Sequence, residues 1–448
     1  MRRFSPSIVA SIVIALCGCG GGGGSSGGGG GMGMPPPATP PPAGKIAHVV
    51  IIFQENRTPD NLFHGLPGAD IANSGLNSHG QTVQLMPVHL SGQLSPYDVD
   101  HSHLAFTTEY NGGGMNGFDL VRINCPSHTC VNPTAYGYVP QSEVQPYFTM
   151  AQRYVFADRM FQTNEGPSLP AHQYIIAGTS LNAPGSNLLA ADNPHYVGNS
   201  GNCDGSPEST IALIDPQGNE NHFARPCFEH QTLPDLLDAK GVSWKYYAPS
   251  PVSLWNAPDA ISHLRFGADW GKVIMPQTAI FNDIATGALP AVSWLIPSGA
   301  SSDHALGTDG TGPSWVASVV NAIGNSKYWN STAIFVTWDD WGGWYDHVKP
   351  SQFNSYELSF RVPLIVISPY AKPAYISHAQ HEFGSILHFT EEQFGLGSLG
   401  YTDSRADDLA DCFNFNQAPL TFQPIPTALH AADFVHRPAS DTPPDTDF

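Results

Sequence analysis

Charge is scarce in this chain, and positive charge is scarcest. Of 448 residues only 12% are charged; 18 Lys and Arg face 38 Asp and Glu, for a formal net charge of −20 at pH 7. No basic stretch follows residue 3. Nucleic-acid phosphates are neutralised by clustered Lys and Arg, so a nucleic-acid partner is excluded. Long apolar runs are also missing. Residues 8–16, near the start, form a short one that cannot span a bilayer. Cysteine is sparse, with Cys125, Cys130, Cys203, Cys227 and Cys412 beyond residue 19, and none of these forms a CxxC pair. That spacing disfavours a zinc-finger framework. No internal repeat is present.

What the chain does have is a pair of strand-like segments that end in oxygen donors. Ala333 to Trp338 is apolar, β-branched and aromatic, and runs straight into Asp339-Asp340-Trp341-Gly342-Gly343. Residues 46–53 (IAHVVIIF) run in the same way into Gln54-Glu55-Asn56-Arg57. Ligand sites in open α/β sheets lie beyond the carboxyl ends of strands. Adjacent carboxylates repel unless a cation, a proton or solvent separates them. Asp339, Asp340, Glu55 and Asn56 therefore read as four oxygen ligands for a divalent metal. A solvated turn is the plainer alternative for each acidic pair taken singly.

The first 19 residues read as a targeting segment. Arg2-Arg3 supply positive charge, residues 8–16 the apolar stretch, and Leu16-Cys17-Gly18-Cys19 a bacterial lipobox with Cys19 as the lipidated residue. Cleavage by an ordinary signal peptidase is the alternative. Residues 20–44 are rich in Gly and Ser and then Pro, a flexible tether followed by a stiffer spacer. The expected location is the periplasm, an outer-membrane anchor or the medium, with membrane contact through the lipid alone. Export makes disulfides reasonable, and Cys125–Cys130 and Cys203–Cys227 are the natural local pairs.

Residues 45–448 alternate strand and helix patterns, which predicts an α/β domain with a mostly parallel sheet covered on both faces. Strands are expected at 46–53, 242–247, 290–296, 333–338 and 362–368, and helices at 142–157, 170–178, 314–325 and 381–395. Ser142 with Gln145 suggests a capping box, and Ser314 an N-cap. Loop-rich insertions are expected near 64–140 and 181–232.

Ser168, in Gly166-Pro167-Ser168-Leu169-Pro170, is expected just outside a helix N-terminus, where backbone N–H groups favour an anion. It reads as a nucleophile or simply as an N-cap. His304, in Ser302-Asp303-His304, and His101, in Asp98-Val99-Asp100-His101, read as anion ligands or proton donors, or as structural histidines. His378-Ala379-Gln380-His381-Glu382 does not follow the HExxH order and reads as a helix entry.

Six ordered blocks resemble the bacterial phosphoesterase family that joins phospholipases C to respiratory-burst-inhibiting acid phosphatases. They are 48–65 (HVVIIFQENRTPDNLFHG), 166–180 (GPSLPAHQYIIAGTS), 232–249, 301–307 (SSDHALG), 335–348 (FVTWDDWGGWYDHV) and 360–372. The resemblance implies an alkaline-phosphatase-like α/β/α sandwich with long insertions. It implies one divalent metal held by Glu55, Asn56, Asp339 and Asp340, and Ser168 as nucleophile and further ligand. His304 and His101 would be catalytic, and His304 and His172 would touch substrate. Ala305 stands where many members carry proline, and Pro59 interrupts the usual aromatic, which puts pocket shape in question. The implied activity is phosphate-ester hydrolysis through a phosphoserine. Serine at 168 favours a broad acid phosphatase, with phospholipase C as the alternative. A non-catalytic ligand-binding lipoprotein on the same fold is a third reading.

Overall fold

In the computed structural model, residues 44–126, 130–198 and 201–437 are described. The expected targeting segment, Cys19 and the expected tether up to residue 43 lie outside them. The centre is an eight-stranded sheet. In chain order its strands are β1 (His48–Gln54), β2 (Val155–Ala157), β3 (Trp244–Tyr247), β4 (Val273–Ile274), β5 (Val292–Leu295), β6 (Thr332–Trp338), β7 (Leu364–Ile367) and β8 (Tyr375–Ser377). Their spatial order is β4-β3-β5-β1-β6-β7-β2-β8. β7 runs antiparallel to both neighbours, and the other neighbouring pairs are parallel. β1 and β6 sit side by side at the centre and are almost wholly buried, as uninterrupted apolar strands of a two-sided sheet must be.

Side-chain alternation along β6 shows how the layers form. Trp338 points to one face and meets Tyr147 of helix α2 (Gln145–Arg153), ring centroids 5.1 Å apart. Phe335 points to the other and meets Phe389 of α5 (Phe383–Phe394) at 5.2 Å. Period-two geometry puts an aromatic on each face, and each finds a helix. α4 (Gly312–Gly324) packs beside α2, and α3 (Ser168–Ala177) beside α5. The molecule is thus an α/β/α sandwich.

The expected strands are all present with slightly shifted bounds, but three of the expected helices need correction. The helix expected at 142–157 ends at Arg153, and residues 155–157 form β2. Its N-cap is Val144, with no side-chain cap, in place of the Ser142 capping box. Thr311, not Ser314, precedes α4. Pro167 precedes α3, so Ser168 is the first helical residue and not the residue outside it. The insertions carry short elements of their own. Residues 64–140 include α1 (His103–Tyr110), and 181–232 a three-stranded sheet of Leu189–Ala190, Ile211–Ile214 and His222–Ala224. The two expected disulfides, Cys125–Cys130 and Cys203–Cys227, are formed, and Cys412 is a buried free thiol.

Candidate active site

The register of the central pair sets the site. Gln54 of β1 lies opposite Trp338 of β6, so Glu55-Asn56 and Asp339-Asp340 leave the sheet together. The Asp339 N–H donates to the Gln54 carbonyl at 2.9 Å, and the Arg57 N–H to the Asp340 carbonyl at 3.0 Å. Asp339 Oδ1 then accepts the backbone N–H groups of Asn56 (2.9 Å) and Asp340 (2.7 Å). Asn56 sits in the left-handed region (φ 59°), which asparagine tolerates better than most residues. Gly342 is needed for close approach as well as for its φ of 63°: a Cβ there would lie 2.5 Å from the Asn56 carbonyl oxygen.

Helix α3 delivers the hydroxyl. Ser168 Oγ donates to Asp340 Oδ2 at 3.3 Å, while Asp340 Oδ1 accepts the Gly342 N–H at 2.7 Å. Asn193, from the 181–232 insertion, accepts the first-turn N–H of Leu169 at 2.8 Å. His172 lies four residues on, hence on the same helix face as Ser168. Its Nε2 is 3.3 Å from Glu55 Oε1 and 3.9 Å from Asp339 Oδ2. Phe53 holds the imidazole edge-on at 4.7 Å, and Trp255 lies parallel to it at 6.5 Å.

Ligand atoms of Glu55, His172 and Asp339 lie within 4.8 Å of one another. Asn56 Oδ1 and Asp339 Oδ2 are buried with no hydrogen-bond partner. Two carboxylates, an imidazole and an unsatisfied amide oxygen in a buried pocket suit a divalent cation, which would neutralise the charge. A second group, Asp60, Asp346 and His347, also gathers donors. There the Arg361 guanidinium is already 2.6 Å from Asp346 and 3.5 Å from Asp60, so the positive charge is supplied by the chain itself.

The two loop histidines come to the same place. His101 Nε2 is 3.0 Å from Asn56 Nδ2, and its Nδ1–H donates to the Val99 carbonyl at 2.8 Å. His304 Nδ1–H donates to the Ala305 carbonyl at 2.6 Å, so its proton exchange with a ligand runs through Nε2. The two rings are 5.9 Å apart, and Trp255 is 6.0 Å from His304. Glu55, Asn56, Ser168, His172, Asp339, Asp340, His101 and His304 are all at most 2% exposed. His378 and His381 lie elsewhere, bonded to Asp158 and Asp407.

Several supporting residues carried no sequence signal of their own. Arg57 Nε and Nη2 donate to the Asp303 carbonyl at 2.9 and 2.6 Å, tying the His304 loop to the end of β1. Asp303 Oδ2 accepts Tyr147 Oη (2.8 Å) and Trp338 Nε1 (3.0 Å); burial pushes its carboxyl up to about 6, against the opposing charge of Arg57. Glu109, behind Trp341, accepts the indole N–H at 2.6 Å, and burial raises its pKa well above the usual carboxylate range. The position of His172 against the carboxylates, in contrast, could have been found from its i+4 spacing to Ser168.

A buried serine at a helix start thus lies beside acids at two central strand ends. The profile of the Phosphoesterase family matches residues 46–397, and the chain belongs to that family. It is similar to Phospholipase C B of Mycobacterium tuberculosis, 24% identical with 85% of this chain and 80% of that protein covered. Hemolytic phospholipase C of Pseudomonas aeruginosa is 22% identical, over 83% of this chain and 56% of that protein. Among solved structures, an alkaline phosphatase superfamily protein from Vibrio parahaemolyticus aligns at 12% identity and a TM-score of 0.38, covering 82% of this chain and 72% of that one. The chain is a phosphate-ester hydrolase.

Proposed function

We propose that this protein is an exported phosphomonoesterase of broad specificity, with Ser168 as the nucleophile. The carrying observation is the Ser168 hydroxyl, held 3.3 Å from Asp340 at the first turn of α3, on the helix face that brings His172 to Glu55 and Asp339. Ser168 Oγ attacks phosphorus as Asp340 Oδ2 takes its proton. The positive end of the α3 dipole lies at Ser168, where the negative charge develops. His304 Nε2 protonates the departing alkoxide, and water then hydrolyses the phosphoserine. A divalent cation held by Glu55, His172 and Asp339, with Asn56 beside them, would supply Lewis-acid stabilisation of that charge. His101 orients Asn56 through the 3.0 Å contact between their nitrogens.

The burial of every one of these residues favours a small substrate over a diacylglycerol ester. The phospholipase C names of the relatives favour the second reading, a phosphodiesterase acting on phospholipid head groups. Hydrolysis of p-nitrophenyl phosphate against p-nitrophenyl phosphorylcholine between pH 5 and 8 separates them. Faster turnover of the monoester is expected. Preference for the choline diester would transfer the assignment to phospholipase C, and activity retained in Ser168→Ala would remove the nucleophile. Disulfides fit an oxidising compartment and support export.

A further inference from the structure

The loop that carries His304 is held by a side chain that is ionisable. Asp303 lies two residues beyond the turn Gly299–Ser301, which follows β5, and it is fully buried. Its carboxylate touches three elements. Oδ2 accepts Tyr147 Oη of α2 at 2.8 Å and Trp338 Nε1 of β6 at 3.0 Å. Oδ1 has no hydrogen-bond partner and lies against the first residue of α4, where a Cβ on Gly312 would come within 2.1 Å of it. Glycine permits that approach, and the positive end of a 13-residue helix favours a negative charge there.

The main chain of the same residue anchors a cation. Arg57 Nε and Nη2 donate to the Asp303 carbonyl, and Nη1 donates to Asn61 Oδ1 at 3.2 Å. Both acceptors are neutral oxygens. The charge that opposes the buried guanidinium comes first from the Asp303 carboxylate and then from Asp98. Burial pushes the Asp303 carboxyl up to about 6 against that attraction. The titratable and charged groups facing it are Arg57 from the end of β1 and Tyr147 from α2. From β6 it meets the Trp338 indole and from α4 only Gly312. Protonation of Asp303 would leave Arg57 a buried cation short of its partner, which is costly. The contact that yields is the one from Arg57 to the Asp303 carbonyl. His304 is the next residue, and its Nδ1–H is spent on the Ala305 carbonyl within the same loop, so the ring moves with that loop.

We propose that Asp303 is the positioning residue of the leaving-group acid: ionised, it holds Arg57 on its own carbonyl and so keeps His304 Nε2 beside the departing oxygen. The inference rests on His304 as the acid, and it makes pH a control on which esters are cleaved. p-Nitrophenolate departs with little help, whereas the more basic phenolate needs the proton. The test compares kcat/KM for phenyl phosphate with kcat/KM for p-nitrophenyl phosphate. The ratio of the two does not depend on how much of a preparation is folded. Asp303→Asn is expected to lower that ratio about 10- to 100-fold, and His304→Gln to lower it at least as far. In wild type the ratio should fall as pH drops through about 6, and in Asp303→Asn it should stay level. Tyr147→Phe removes one donor to the carboxylate and keeps its charge, so the fall should move to higher pH; this variant carries the test if Asp303→Asn yields no folded protein. An unchanged ratio in His304→Gln would remove the acid assignment and this inference with it. A lowered ratio in His304→Gln with an unchanged one in Asp303→Asn would keep the acid and overturn the role of Asp303. A wild-type ratio that stays level between pH 5 and 8, or a fall that does not move in Tyr147→Phe, overturns it as well.

Discussion

Asp340 is the residue on which the proposed reaction turns. One carboxylate oxygen is fixed by the Gly342 N–H and the other accepts from Ser168. Its neighbour Asp339 spends one oxygen on two backbone amides and turns the other to His172. The adjacent acids therefore have different tasks, and the dipeptide in the sequence could not divide them. Asp340→Asn keeps an acceptor for Gly342 but cannot take the serine proton. We expect kcat to fall by ~10²–10⁴-fold with near-UV circular dichroism unchanged; a loss below tenfold would mean that the serine proton leaves by another route. Oxygen donors at two strand ends were legible because apolar runs stop abruptly at Glu55 and Asp339. Trp255 and Arg57 were not, since their importance comes from what the fold places against them.

Among the elements, β2 shows why local sequence misled. Tyr154-Val155-Phe156-Ala157 continues the apolar pattern of α2, and nothing local stops the helix. Pairing with β7 on one side and β8 on the other decides in favour of a strand. Helix α1 shows a second effect invisible in sequence. His103 Nδ1 bonds Glu220 of the 181–232 insertion, and its Nε2 is 3.7 Å from Glu165 in the nucleophile loop. Burial lowers the pKa of His103, but the two glutamates outweigh it and raise it to about 9. A folded-state pKa above the unfolded value means stability that is complete below pH ~6.5 and lost as pH rises through about 9. Burial raises the pKa of Glu165 as well, a shift of the same sign, while solvent screens the part-exposed Glu220, so the loss is put on the order of 1–3 kcal/mol. Urea unfolding at pH 6.5 and pH 9.5 should show that difference in wild type and a flatter profile in His103→Gln. Parallel profiles would assign the pH dependence to other groups. Arg361 joins more distant parts. It donates to Asp346, to the Asp70 carbonyl at 2.9 Å and to the Asp158 carbonyl at 2.8 Å, with no exposure. Arg361→Met strands Asp346 and Asp60 as buried carboxylates, and a loss of about 3–5 kcal/mol in unfolding free energy is expected. A loss under 1 kcal/mol would show that water reaches the pair.

Across the whole molecule, the sheet supplies acids and the insertions supply walls. Asn193 comes from the 181–232 insertion and His101 from the 64–140 insertion, so the site is complete only when both are seated. The Cys203–Cys227 bridge bears on that seating. Cys203 N–H donates to the Asp259 carbonyl at 3.0 Å, and the Asn202 N–H to Asp259 Oδ2 at 2.9 Å. Asp259 follows Trp255, whose ring lies over His172. The bridge closes a loop with a sequence separation of 24, and the chain-entropy estimate for such a loop is about 3 kcal/mol. Cys125–Cys130 spans a separation of only 5, with an estimate of about 2 kcal/mol. Serine pairs at each bridge separate constraint from function. Replacing Cys203 and Cys227 should cost the larger share of unfolding free energy and also raise KM for p-nitrophenyl phosphate, because Trp255 is no longer held over His172. Replacing Cys125 and Cys130 should lower stability less and leave the Trp255 contact, and so the KM effect of its loss, untouched. If KM is the same in both pairs, Trp255 keeps its place without the bridge, and the insertion is seated by its packing on α3.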